Sequence, residues 1–467
     1  MRSPRGHGAS RKGPLALIAA TFLAIAAPVA ASPAPAPPPD RDRDSAQNGR
    51  ARGDAAPRFS GGDRIVASIY SLPSAWLAAD DCVALLSAVR RVAPSRALLA
   101  LVDARQARAL AGAARALDVR LLPASRDDFS PWPRDPFSLA RDPAGGVLVV
   151  TRPNVQPRRA ADAAMADALV RALPPDLASR WGGVRLTTAA VPFHNGQVLL
   201  ADGAAWITIH SLEPAILGRL GLARVPVEEF GASAGIDRYL AAARAAAEDL
   251  GRLYGRSVRF VHPLPETGAT DARVETMRAL GGGAGFDLDS IVTLTPGPGS
   301  RHALVGDVAA GARWIARAGD RDLERLRSAF AFAPPAAALG PSLAAAQEEP
   351  RAAGLGAFLD LVAGELARDG FEVARLPLLL VPTRLLADPG APGAPDFVLG
   401  WNNVVFDEAP TGLHAEGFSS LVASGDALAV RAYAVAGVKL DLLPPLVWSV
   451  IRGGGYRCAS NELRAVR

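Results

Sequence analysis

The chain has 467 residues, 49% of them hydrophobic, enough for a large core in one domain or two. Its formal charge of +5 belongs to the first 58 residues, which carry nine Lys and Arg against four Asp and Glu; the rest is balanced, and a nucleic-acid-binding role loses its main support. Lys12 and Lys439 are the only lysines, which removes most routes to Schiff-base or P-loop chemistry.

Residues 1–31 read as an export signal. Arg2, Arg5, Arg11 and Lys12 precede an apolar run over 14–27, followed by the small residues Val29, Ala30 and Ala31. The run is short for a membrane span, so cleavage near 30–32 predicts a periplasmic or secreted protein with no membrane contact afterwards. Residues 32–58 are rich in proline and charge without apolar periodicity and read as a disordered linker. No later stretch looks like a linker, and 59–467 reads as a single domain.

Within that domain apolar strands alternate with helices, an α/β pattern. "RIVASIY" is followed by a helix around Cys82, then "RALLALVD", an Ala-rich helix over 104–116 and "DVRLLPAS". Pro131, Pro133 and Pro136 make the next stretch a loop. "GGVLVVTRP", a helix over 160–172, "GVRLTTAAVPFHNGQVLLADGAAWITI" and a helix over 237–253 continue the alternation. "SVRFVHPLPE", "GFDLDSIVTLTPG" and "ALVGDV" read as strands, 320–370 as mostly helical, and "FEVARLPLLLVP" as strand again. The insertion over 334–350 fits a lid or a spacer.

Four polar clusters fall at strand ends, where open α/β folds build their sites: 132–136, 193–197, 287–290 and 453–461. Asp287 and Asp289, two apart in an apparent strand, leave the same face, and a guanidinium between them would satisfy both carboxylates. Taken alone, the pair also fits a solvated strand end. Asp135 follows Trp132 and Arg134 in a proline-fixed loop that gives its carboxylate a direction and an apolar wall. His194 opens the second cluster. His210, His262, His302 and His414 lack the spacing of a metal site, and no metal or other cofactor is inferred. Cys82 sits at core spacing in its helix; a bridge from it to Cys458 stays open.

The order of these clusters resembles the guanidine-modifying pentein superfamily, the agmatine, arginine and protein-arginine deiminases with their amidinotransferase relatives. The shared features are W-x-R-D at Trp132–Asp135, a strand-starting G-x-V-L near residue 196, L-D-S-I-V-T-L at 288–294, and a glycine loop with Cys458 near the end. The resemblance implies a pentein fold of five ββαβ-type units around a pseudo-fivefold axis. It implies hydrolysis of a small guanidinium compound or an arginine side chain by a cysteine nucleophile, Cys458, through an amidino-thioether. Asp135 and Asp289 would clamp the guanidinium, with Trp132 and Arg134 beside it, and glycine-loop N–H groups would favour the thiolate. His194 stands where the family has a glutamate in E-G-G-[ND], and Asp287 where it has the histidine of H-x-D. If that exchange preserves function, His194 takes the proton-transfer role and Asp287 binds the cation. The alternative is a non-catalytic pentein that binds a cationic ligand or partner. An amidinotransferase would need a second substrate, and a thiol protease would need an orienting Asn or Asp beside its histidine.

Overall fold

The computed structural model describes residues 63–126, 129–142, 145–152, 160–189, 191–192, 195–222, 233–296, 301–387, 396–452 and 454–465. The expected signal and linker lie outside the described residues, as do His194 and Gly453.

Five sheets share one pairing pattern, an antiparallel pair extended by a parallel strand. In the first, β1 (Ile65–Ser71), β2 (Ala97–Val102) and β3 (Val119–Pro123) run parallel to their neighbours. The second holds β4 (Phe137–Arg141), β5 (Val147–Thr151) and β6 (Val184–Thr188). The third holds β7 (Val198–Ala201), β8 (Ala204–Ile207) and β9 (Ser257–Phe260). The fourth holds β10 (Val292–Leu294), β11 (His302–Asp307) and β12 (Glu372–Pro377). A two-stranded ribbon of β13 (Leu379–Val381) and β14 (Phe397–Leu399) precedes the fifth, with β15 (Val405–Ala409), β16 (Gly412–Phe418) and β17 (Lys439–Leu443). The last strand, β18 (Ser460–Arg464), returns to the first sheet and pairs antiparallel with β1, Ile69 opposite Asn461. It thereby supplies that sheet with the antiparallel edge the other four make from their own first strand.

Local sequence accounts for these elements. β1 and β2 are buried on both faces, which is why they read as continuous apolar runs. The helix Ala104–Ala116 starts where the Asp103 carboxylate accepts from the N–H groups of Arg105 and Gln106, a cap worth about 1 kcal/mol. Its Gln106, Leu110 and Ala114, four apart, form one buried face. The segment 334–350 forms the helix Ala336–Ala346, which buries Leu339 and Leu343 in the main core. That is packing rather than a free lid.

Three hydrophobic clusters link the sheets in succession. One joins Ile69 and Leu99 to Phe137 and Val149; a second joins Leu148 to Trp206, Val292 and Val305; a third joins Leu304 to Ala415 and Leu98. The edge strands β4, β7, β10, β15 and β18 all line one cavity of about 80 Å³, through Leu139, Leu199, Thr293, Val405 and Asn461. Among the described residues no helix is long and apolar enough to cross a membrane.

A buried ionic network ties the first and fifth sheets to the Cys458 loop. Arg96 donates to both oxygens of Glu416 at 2.6 and 2.8 Å and to Asp407 Oδ2 at 2.6 Å. Tyr456 donates to Glu416 at 2.7 Å, and its hydroxyl lies 2.9 Å from that of Tyr70.

Candidate active site

The site is assembled from the residues just before the antiparallel edge strand of each sheet. Asp135 lies two positions before β4, Gln197 one before β7, Asp289 three before β10, Asn403 two before β15 and Cys458 two before β18. A strand's first residue is fixed by its ladder, so a side chain one or two positions earlier is held in direction without occupying a ladder position.

Cys458 is 2% exposed. Asn403 grips it at two points: Nδ2 donates to Sγ at 3.2 Å, and Oδ1 accepts from the Cys458 N–H at 3.2 Å. Sγ lies 4.0 Å from Asp289 Oδ2, and ligand atoms of Asp287, Asp289 and Cys458 all fall within 4.8 Å of one another. That grouping suits a cation, organic or metallic, and histidine spacing gave no hint of it. Gln197 Nε2 donates to Asp287 Oδ1 at 2.8 Å. Gly196 lets Asp287 approach, since a β-carbon there would lie 2.8 Å from Oδ2.

Asp287 and Asp289 meet the thiol, but not from a strand. Residues Leu288–Ile291 form one helical turn, and the strand begins only at Val292. Asp287 is its N-cap residue and Asp289 lies inside it, so the alternation of a strand does not set their directions. The glycine loop also differs from expectation. Gly454 N–H donates to Ser449 O. The glycines instead allow close contact: a β-carbon on Gly454 would sit 2.0 Å from Trp132 Nε1, and one on Gly455 2.5 Å from the Asn403 β-carbon.

Trp132 donates through Nε1 to Ser449 Oγ at 2.9 Å and meets Trp76 edge-on at 5.8 Å between ring centroids. Arg134 pairs with Glu462 and donates to Arg457 O at 2.8 Å. Both therefore fix the walls and the loop of Cys458. Asn403 and Arg457 carry no motif. Their position before a first strand, or beside the cysteine, was the available signal.

Burial raises the Cys458 thiol well above its ordinary range, and the Asp289, Asp287 and Asp135 charges add to that, against the Asn403 hydrogen bond. Asp289 is pushed up to about 6, first by burial and then by Asp287, with Arg457 opposing. Burial pushes Cys82 up to about 12, and Gln106 donates to its sulfur at 3.3 Å. The two cysteines are free, not bridged. Iodoacetamide at pH 8 is therefore expected to label neither in the folded protein and both after denaturation, as read by mass spectrometry. Fast native labelling of Cys458 at pH 8 contradicts this electrostatic description.

The remaining histidines lie away from this cluster. His210 contacts Leu280 O, His262 accepts from Ile209 N–H, His302 faces Glu372 and His414 faces Asp441.

No protein-family model and no curated protein sequence matches the chain. Solved structures do. A substrate-bound agmatine deiminase of C. jejuni aligns with a TM-score of 0.52 at 11% identity, over 88% of this chain and 96% of that one. Agmatine deiminase of Enterococcus faecalis aligns with a TM-score of 0.50 at 10% identity, over the same shares of each chain. The chain thus has the mixed α/β fold of these agmatine deiminases.

Proposed function

We propose that the protein hydrolyses a guanidinium group, with Cys458 as nucleophile. One observation carries the reading: a buried thiol lies within 4.8 Å of two carboxylates, Asp287 and Asp289, and feels the charge of a third, Asp135. Such a thiol stays protonated in the free protein, and a substrate guanidinium bound beside the sulfur both satisfies the carboxylates and favours the thiolate. The thiolate then attacks the guanidinium carbon; ammonia leaves with a proton, and an amidino-thioether remains on Cys458. Water adds to that carbon and the C–S bond breaks, releasing a ureido product and the thiol. The net reaction is guanidinium plus water to urea derivative plus ammonium.

In this reading Asp135 and Asp289 hold the guanidinium and Asp287 contributes to cation binding. His194 moves the protons. It precedes by two residues Gly196, which abuts Asp287. The five sheets form a single domain over 59–467, arranged as units about a pseudo-fivefold axis. The cavity shared by all five edge strands and the clusters that join neighbouring sheets support that arrangement. The segment 1–31 supports action outside the cytoplasm.

The test is incubation of the protein with agmatine, arginine and arginine-containing peptides, following ammonia and ureido product. Release from at least one is expected, and His194→Ala is expected to slow it by about 10²–10⁴. A fully active His194→Ala removes the histidine from the mechanism. A second reading, a non-catalytic cation-binding protein, is favoured by one contact, the Arg457 guanidinium already paired with Asp289. Binding without release from any of the compounds supports that one.

A further inference from the structure

Asp289 already holds a guanidinium, and it comes from the same chain. Arg457 Nη1 lies 2.5 Å from Asp289 Oδ2, the oxygen that is itself 4.0 Å from Cys458 Sγ. Arg457 Nη2 donates to Val198 O at 2.9 Å, so the planar group is fixed at two corners. The Asp289 side chain is 1% exposed and that of Arg457 15%. Arg134 anchors the backbone beneath it by donating to Arg457 O.

We propose that Arg457 is a built-in competitor, whose guanidinium fills the cation subsite at Asp289 and must leave before an external guanidinium compound can bind there. The inference rests on the reading of Asp289 as a guanidinium clamp. A fully buried carboxylate left unpaired is costly, so the subsite is stable only while one cation or another occupies it. Exchange of Arg457 for a ligand keeps Asp289 paired in both states. The apparent affinity of the parent protein is then the intrinsic affinity reduced by the fraction of molecules in which Arg457 has swung away.

The experiment uses the full chain and Arg457→Ala, with methylguanidinium chloride as probe and tetramethylammonium chloride at equal concentration as control. Thermal unfolding and calorimetric titration are the readouts. Arg457→Ala is expected to melt below the parent, to be restored by millimolar methylguanidinium but not by tetramethylammonium, and to bind methylguanidinium about tenfold or more tightly than the parent does. Adding Asp289→Asn to Arg457→Ala should abolish the restoration. If the alanine variant is too unstable to purify, Arg457→Gln, which keeps the stem and loses the charge, serves in the same comparison. Equal affinity in parent and variant, or restoration by both salts alike, overturns the proposal. Because binding is measured, the outcome separates from turnover. A chain that releases no ammonia yet shows the restoration loses the hydrolase reading and keeps this one; an active chain with equal affinities does the reverse.

Discussion

Cys458→Ala is expected to abolish the proposed release of ammonia from a guanidinium substrate, by a factor of about 10⁴ or more, and to leave the proposed cation binding in place. The other cysteine does not replace it: Cys82 is held in the core by Gln106 and has its own place in the first sheet's helix layer. The carboxylates proposed to bind the cation are untouched by the substitution. Stability should change by only about 1 kcal/mol, because Asn403 Nδ2 keeps Ser290 Oγ at 3.3 Å as a partner and the backbone contact of residue 458 survives. An ammonia assay beside calorimetric titration with the same compound decides the point. A variant that retains more than about a tenth of parental turnover shows that the thiol is not the attacking group.

Arg96→Ala should cost about 3–5 kcal/mol of folding stability, the largest effect expected of any single substitution outside the site. Arg96 is the cation shared by Glu416 and Asp407, and the Arg96 and Glu416 side chains are 2% and 4% exposed. Without it, two carboxylates are left with hydroxyl and backbone partners such as Tyr456 and the Ile65 N–H. Arg96→Lys should recover only part of the loss, since an ammonium cannot address both Glu416 oxygens and Asp407 in one plane. Denaturant titration gives the answer, and a loss below about 1 kcal/mol for the alanine variant means the network is not the fastening described.

The sequence made legible the residues whose chemistry is unusual for their surroundings. Cys458, Asp135, Asp287 and Asp289 are polar groups at the ends of apolar runs; Asp287 and Asp289 come together with the thiol, and the Asp135 charge acts on it. Asn403 escaped because it sits inside the continuous run "VLGWNNVVFDE", which shows no boundary of its own; β14 ends at Leu399 and β15 starts at Val405, and the asparagines occupy the break. Arg457 escaped because an arginine beside a glycine loop looks like a solvated residue, and only the tertiary fold shows its partner to be Asp289. The helical turn at Asp287 escaped because four residues are too few to display a period, so the apolar strand behind it dictated the reading.

β18 carries one further consequence. Among the described residues it follows every other strand, yet it pairs with β1, the first of them. During synthesis the edge of β1 stays open, and the thiol absent, until residues 458–464 have been added. A chain stopped short would therefore combine two faults at once: an inert site, and an unpaired apolar strand of the kind that recruits other chains. Arrival of the thiol and removal of the sticky edge are a single event.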